Sequence, residues 1–238
     1  MVYVHLMNIN VYLPCRKQST RVKNKNIRKF ANINFGLLEI KINQLLKTKL
    51  INKIYLSTND KKIINYCKKL NKKKIVIHER KDHSLSSNNT TNNQLLNHAI
   101  DIMPDDHILW THVTSPFVDS KIYDKAILKY KKLIKSNKAD SLMSVTKLYG
   151  FFWLNNKPIN YNSPKLMWPR TQDTKPLDHI NSAIFISSKK NYVKFNNRIG
   201  KKVYLFDLKK FEGLDVDEKE DFYFAEYIFN NKKKFLNL

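Results

Sequence analysis

The sequence predicts an α/β fold: a doubly wound, mostly parallel sheet with helices on its faces and one inserted arm. Two patterns carry that reading. Short apolar runs rich in Val, Ile and Tyr alternate with longer segments of helical period, as the strands of a parallel sheet alternate with their crossover helices. The alternation breaks between Gly150 and Leu177, where prolines and aromatic residues crowd without either period, and then resumes. At 238 residues and 42% hydrophobic, the chain can fill one sizeable domain with an ordinary core and an appendage. The expected division is a main domain from residues 1–148 and 178–238, with residues 149–177 as the arm.

Taken in order, Ile9 to Leu13 reads as the first strand; Met7 heads it and leaves residues 1–6 as an upstream extension. Leu37, Leu38, Ile40, Leu45 and Leu46 mark one face of a helix. KIYLST, from Lys53 to Thr58, is a second strand, and the helix after Asn59 and Asp60 turns Ile63, Ile64 and Cys67 inward. IVIH, Ile75 to His78, is a third strand, after which the polar SLSSNNTTNN becomes a helix around Leu95, Leu96 and Ala99. HILWTHV, His107 to Val113, is apolar enough for a central strand, ended by Thr114 to Pro116. An amphipathic helix from Asp119 to Ile134 and a strand from Asp140 to Leu148 complete the first part. Beyond the arm, HINSAIFIS and Val203 to Leu208 read as strands, and a last helix begins near Glu218.

The formal net charge of +24 would ordinarily suggest nucleic acid or an anionic membrane as partner. Here the lysines accompany abundant Asn and Ile and only 4 glycines, a bias that nucleotide composition produces without selection for a partner. Neither nucleic acid nor membrane is expected, and lysines dispersed over helix faces would agree. Cys15 and Cys67 are too few and too isolated for a disulfide framework or a zinc site, which fits a reducing compartment. The apolar start MVYVHLMNINVYL has no basic leader region or cleavage site, and no apolar run approaches the roughly 20 residues that span a bilayer. A cytoplasmic location is expected.

An open parallel sheet binds its ligand at the carboxyl ends of its strands. The residues there form a coherent set: the loop LPCRKQSTRVKNKNI from Leu13 to Ile27, Ser57 to Asp60, Arg80, and His112 to Pro116, all expected to line one crevice. A basic strand-to-helix loop offers cations and backbone N–H groups to phosphate oxygens. This one lacks the glycine spacing of a P-loop or of a dinucleotide turn, and by itself it reads equally as a solvated charged loop. In GLDVDE, Asp215 and Asp217 would point the same way if extended, as the ligands of a hard metal must. The alternative is that Asp217 caps the helix that follows, and the two roles can coexist.

At this point the motifs resemble a known family, the acylneuraminate cytidylyltransferases. LPCRKQSTRVKNKNI is similar to their signature loop, roughly IPARxGSxRxxxKN. STND resembles their second-strand motif, THVTSPF their QPTSPL, PRTQ their Pro-Arg-x-Gln, INSAIFI their NGAIYI, and GLDVDEKED their Ile-Asp-Ile-Asp-x-x-x-Asp. The matches fall in family order over nearly the whole chain. The resemblance implies a nucleotide-diphospho-sugar transferase-like Rossmann-type fold and an enzyme that joins CMP from CTP to a nonulosonic, sialic-acid-like sugar, releasing pyrophosphate. It implies that Arg16, Ser19 and Lys25 hold the triphosphate with Asn26 beside the nucleotide, and that Arg80 and Asn92 contact cytosine. His112, Arg170 and Gln172 would face the sugar, Arg170 toward its carboxylate. Asp215 and Asp217 would hold Mg²⁺, and Arg16, Lys25 and Asp217 would carry the catalysis. The arm, with Phe151, Phe152, Trp153 and Trp168, would build a homodimer; folding back as a cover on its own subunit is the alternative.

Three positions depart from the family pattern: Gln18 replaces a loop glycine, His112 a glutamine, and Ser182 the glycine of Asn-Gly-Ala. At His112 the residue either hydrogen-bonds substrate or is a satisfied strand-end side chain. His98, Trp110 and Tyr161 read as structural. The nearest alternative is the cytidylyltransferase for the eight-carbon sugar Kdo, or another sugar nucleotidyltransferase, but the Kdo enzymes place proline after the loop lysine where Asn26 stands here. A basic nucleic-acid-binding protein is the alternative from another class. The signature loop is expected to be exposed, so that removing its charges would leave stability unchanged.

Overall fold

The structure, a computed structural model, describes residues 7–236 except 18, 20, 82–84, 88, 163, 164 and 166. The readings of residues 1–6 and of Gln18 therefore lie outside the described residues.

Nine strands and seven helices follow one another among the described residues. Strand β1 (Ile9–Pro14) is buried on both faces, which is why it reads as a run that is apolar but for Asn10. Helix α1 spans Gly36–Lys47, β2 Ile54–Thr58, α2 Lys61–Leu70, β3 Ile75–Glu79 and α3 Asn92–Ile102. Strand β4 (His107–Trp110) is shorter than the expected run to Val113, because the chain leaves the sheet as its side chains begin to serve the cleft described below. Then come α4 (Ser120–Lys135), β5 (Ser141–Leu148), the two-residue strands β6 (Trp153–Leu154) and β7 (Lys157–Pro158), β8 (Leu177–Ser188), α5 (Lys189–Phe195), β9 (Val203–Asp207), α6 (Lys219–Asn230) and α7 (Lys232–Leu236).

Polar caps set the helix starts where the sequence places them. The Asp60 side chain accepts from Lys62 N and Asp119 from Ile122 N, while Thr91 and Gln94 form a capping box at α3. Helix α6 begins where expected, and Glu218, with Asp221 reaching back, caps it; the alternative reading of Asp217 as its cap does not hold.

The main sheet has the order β3-β2-β1-β4-β8-β5-β9. Six strands run parallel and β8 runs against its neighbours β4 and β5. The chain winds outward from β1 to β3 and then returns to the other side of β1 as β4. That reversal opens a crevice between the carboxyl ends of β1 and β4. Alternation along the strands divides the core into two layers. Ile9, Val11 and Leu13 belong to the larger layer, whereas Tyr12, Trp110, Phe185 and Tyr192 belong to the other, together with Leu96 and Ala99 of α3.

The β5–β8 ladder carries a large bulge: Met143 pairs with Phe185, but Val145 pairs with Ile180. The extra residues, Asn181 to Ile184, loop out and Ser182 takes a left-handed φ of 56°. Buried side chains fill this irregular backbone's bonding needs. Ser144 Oγ accepts from Ile184 N at 2.9 Å, Asn181 Oδ1 accepts from Ala183 N, and Thr111 Oγ1 donates to the Ala183 carbonyl.

The ladder runs out at Leu148–Leu177, and the intervening segment hangs from its end. The segment is more regular than its sequence suggests. Asn155 and Asn156, both at positive φ, turn the β6–β7 hairpin, and the buried Asn160 side chain ties Gly150, Phe152 and Lys175 together. Trp153, Leu154, Ile159, Met167 and Trp168 are nonetheless left exposed.

Lys61, Lys62, Lys68 and Lys69 lie exposed on α2, and Lys121, Lys125, Lys132 and Lys135 on α4. The positive charge is thus spread over separate helices, as a compositional origin requires. Cys15 and Cys67 are buried free thiols, which burial pushes up, Cys67 to about 12. No helix among the described residues is long and apolar enough to cross a membrane.

Candidate active site

A cleft of about 290 Å³ opens at the carboxyl ends of β1, β3 and β4. Arg16, Ser19, Arg21, Lys25 and Asn26 line one side; Arg80, Leu85, Thr90 and Leu95 form the floor and far end; His112, Val113 and Thr114 close the β4 side. The basic loop, Arg80 and His112 thus meet in one crevice, as their positions after successive strands require. Ser57 to Asp60 do not line it; they stand behind it as supports. Ser57 Oγ bonds His98 Nε2 at 2.8 Å, Asn59 Oδ1 accepts from Lys17 N, and Asp60 caps α2.

The signature loop is pinned from within. Asn26 Nδ2 donates to the Arg16 carbonyl at 2.9 Å, while its own carbonyl accepts from Leu38 N in the first turn of α1. Arg16 Nη1 donates to the Ser87 carbonyl, closing the loop over the segment that follows β3. Lys25 corrects the expectation of an exposed loop: it is 7% exposed, and its Nζ donates to the Val216 carbonyl at 2.6 Å and to Asp217 Oδ1 at 3.2 Å. Asp217 is shared with Arg21 Nη2 at 2.9 Å, and Arg21 Nη1 also reaches Glu218. Two loops nearly two hundred residues apart in sequence are therefore locked by charge.

Arg80 is 5% exposed, and only Nη1 is satisfied, by the Leu85 carbonyl at 2.6 Å. Among the described residues its Nε and Nη2 are buried without a partner. A guanidinium stripped of water with two donors unused is costly unless a ligand accepts from them. Asp215 presents the opposite deficiency, since its Oδ1 is buried with no donor. Burial pushes the Asp215 carboxyl above the usual carboxylate range; a Thr114 hydrogen bond opposes this, and the Asp217 charge adds to it.

His112 has a defined tautomer. The Trp110 Nε1–H, which can only donate, points to His112 Nε2 at 3.0 Å, so the imidazole proton sits on Nδ1. Burial pushes the imidazolium well below the usual histidine range, and the Arg198 charge pushes in the same direction. His112 is thus a neutral hydrogen-bond donor on the cleft wall.

Asp215 and Asp217 do not line the cleft themselves; Asp217 adjoins it by holding Lys25 and Arg21 of the basic loop. Three further expected residues are not brought to it. Asn92 is exposed on the first turn of α3, and Thr90 and Leu95 of the same segment line the cleft instead. Arg170 has a 74% exposed side chain and is held by Asp173 at 2.7 Å, an i to i+3 pair too local to reach away. Gln172 sits exposed in the short 3-10 turn Thr171–Asp173.

Two residues were missed by the sequence reading. Lys41, fully buried on α1, donates to the Ser115 carbonyl at 2.8 Å and to Tyr123 Oη at 2.7 Å beneath the loop after β4; burial pushes it down to about 7. Its spacing with Leu37 and Leu45 placed it on the inward face and could have signalled this. Arg198, beside His112, had no such signal.

The alignment of these features with known proteins is extensive. A profile of the cytidylyltransferase family matches residues 11–237. The chain belongs to the cytidylyltransferase family. As such it is a nucleotidyltransferase that uses CTP, and the resemblance of its motifs to the acylneuraminate branch is upheld. It is similar to two pseudaminic acid cytidylyltransferases of Campylobacter jejuni subsp. jejuni, from serotypes O:2 and O:23/36, at 24% and 25% identity over 91% of this chain and 94% of theirs. Among solved structures it shares its fold with CMP:2-keto-3-deoxy-manno-octonic acid synthetase complexed with CTP (TM-score 0.63, 10% identity, covering 94% of this chain and 99% of that one). It also shares it with the 4-diphosphocytidyl-2C-methyl-D-erythritol synthase of Anaerococcus prevotii DSM 20548 (TM-score 0.66, 13% identity, 95% and 97%).

Proposed function

We propose that this cytidylyltransferase transfers CMP from CTP to a nonulosonic acid of the sialic and pseudaminic type. The observation that carries the reading is a cleft that joins unsatisfied Arg80 donors to a cation-rich loop, the loop being bonded through Lys25 to the adjoining acidic Asp217. A hydroxyl oxygen of the acceptor attacks the α-phosphorus, the bond to the bridging oxygen of the β-phosphate breaks, and pyrophosphate leaves. Such transfer depends on neutralising phosphate charge and aligning the attacking oxygen, with little covalent work by the protein.

In this scheme Arg16, Ser19 and Lys25 take the triphosphate, Lys25 exchanging its Asp217 contact for phosphate oxygens, and Asn26 keeps the loop in shape. Arg80 gives the N–H groups of its unpartnered Nε and Nη2 to the base. The family typically works with a divalent metal, and the residues present fit one: Asp215 has a buried oxygen without a donor, and Asp217 supplies a second carboxylate beside it. Asp215 and Asp217 would hold Mg²⁺, which would supply charge neutralisation at the phosphates. The arm, residues 149–177, builds a homodimer through its exposed aromatic residues, and Arg170 and Gln172 belong to that arm and not to the cleft wall of their own subunit.

The relatives named for pseudaminic acid motivate the acceptor class. The test is to incubate the protein with CTP, Mg²⁺ and a panel containing pseudaminic acid, N-acetylneuraminic acid and Kdo, and to follow pyrophosphate release. Turnover of a nine-carbon acid in preference to Kdo is expected; turnover of Kdo alone would move the assignment to the eight-carbon sugar.

A further inference from the structure

The acceptor in the proposed reaction carries a carboxylate, yet in that scheme the cations of the signature loop are taken by the triphosphate, and Arg170 is committed to Asp173. Another arginine is placed differently. Arg198 follows α5, whose last turn ends in the left-handed residue Asn196 and directs the chain back over the sheet. Its guanidinium carbon lies 4.2 Å from the ring centroid of Phe185 and 5.0 Å from that of Trp110. Those rings are directly paired across β4 and β8. Both rings lie within cation–π reach of the guanidinium, a contact that uses its charge and leaves its N–H groups for something else.

Nothing in the described structure uses those groups. Arg198 makes no hydrogen bond and no ion pair, whereas Arg21 and Arg170 each hold a carboxylate. Burial pushes Arg198 down, and no acidic side chain offsets this; only Tyr192 acts in the other direction. A half-buried guanidinium without a counter-charge is a poor structural element and a good anion receptor. It adjoins the cleft, because Trp110, on which it lies, donates to His112, and His112 lines the cleft. The Nδ1–H of His112 provides a second, neutral donor on the same wall.

We infer that Arg198, with His112 beside it, forms the subsite for the acceptor's carboxylate, so that this side of the cleft selects α-keto acid sugars. The inference rests on the proposed function and assigns to Arg198 the part that the motif resemblance would assign to Arg170. It accounts for the place of histidine at position 112: Trp110 fixes its tautomer as a donor toward an acid.

The experiment measures steady-state pyrophosphate release with the nonulosonic acid that the panel identifies, pseudaminic acid first, and with its methyl ester, for wild type, Arg198→Gln and Arg198→Lys. For Arg198→Gln the acceptor KM should rise about ten- to a hundredfold, the range of a charge-assisted contact, while the CTP KM stays within about twofold. The wild-type preference for acid over ester should collapse in Arg198→Gln, while Arg198→Lys, which keeps charge but not the planar fork, should retain part of it. An unchanged acceptor KM with the preference intact in Arg198→Gln overturns the inference alone. So does equal weakening of CTP and acceptor in both variants, which marks Arg198 as structural. If the wild type binds CTP but turns over no carboxylated sugar, the proposed function itself fails and the inference with it.

Discussion

Lys25 Nζ lies 3.2 Å from Asp217 Oδ1, joining a cleft cation to a candidate metal ligand. In the free chain each neutralises the other, and nucleotide binding would separate them. The pair is also part of the fold, since the same Nζ serves the buried Val216 carbonyl.

Lys25→Ala should therefore do two things. CTP binding should be lost, and the unliganded protein should lose roughly 1–3 kcal/mol of stability, because a buried carbonyl goes unpaired. Arg16→Ala should weaken CTP binding with less loss of stability, as its bond to the Ser87 carbonyl is exposed at the loop surface. Isothermal titration with CTP and thermal melts of both variants check this, and a Lys25→Ala protein as stable as wild type would contradict the structural half.

At Asp215 function and stability should oppose each other. The folded-state pKa is raised by burial, so the carboxyl favours folding while protonated and that contribution is lost as pH rises through the folded value. Asp215→Asn should consequently melt higher than wild type at pH 7, with the gap closing as pH falls toward and below the ordinary aspartate value of about 3.9. Its turnover should fall about a hundredfold or more, since a hard cation loses a charged ligand. Melting curves from pH 3 to 8 beside pyrophosphate assays at several Mg²⁺ concentrations separate this from a purely structural aspartate, which would melt lower and keep its chemistry.

Ser182 occupies a left-handed backbone position in the bulge, where a side chain is strained and glycine is not. Ser182→Gly should stabilise the protein by roughly 0.5 kcal/mol, the relieved strain exceeding the added freedom of the unfolded chain. Gly213, at the start of the acidic loop, is the opposite case: a Cβ there would meet Thr146 Oγ1 at 2.2 Å and Asn181 Nδ2 at 2.7 Å. Gly213→Ala should destabilise the fold and raise the Mg²⁺ requirement by displacing Asp215 and Asp217. Denaturant melts of the two variants should move in opposite directions, and the metal titration of Gly213→Ala alone should shift to higher Mg²⁺.

The arm exposes Trp168 at 65% and Trp153 at 48%. Sedimentation should show a dimer at micromolar concentration, and Trp153→Ser with Trp168→Ser should yield a monomer whose melting temperature drops with dilution less than the wild type's. A wild-type monomer at that concentration would leave these side chains without the role proposed.

The sequence by itself determined the strands and helices, because their periods are local: Ile63, Ile64 and Cys67 face inward on α2 wherever that helix sits. It also determined that Arg16, Lys25, Arg80 and His112 follow parallel strands and so converge at one end of the sheet. It did not determine the partners of those residues. Lys25 is bonded to Val216, 191 residues away, and nothing local distinguishes it from its exposed neighbour Lys23. The reversed direction of β8, the bulge at Asn181 to Ile184, the capping of α6 by Glu218 and the commitment of Arg170 to Asp173 were likewise decided in three dimensions. So was the unpaired state of Arg198, which depends on β4 and β8 bringing Trp110 against Phe185. Periodicity records which face of an element is buried, whereas a charge finds its counter-charge only through contacts that the completed fold creates.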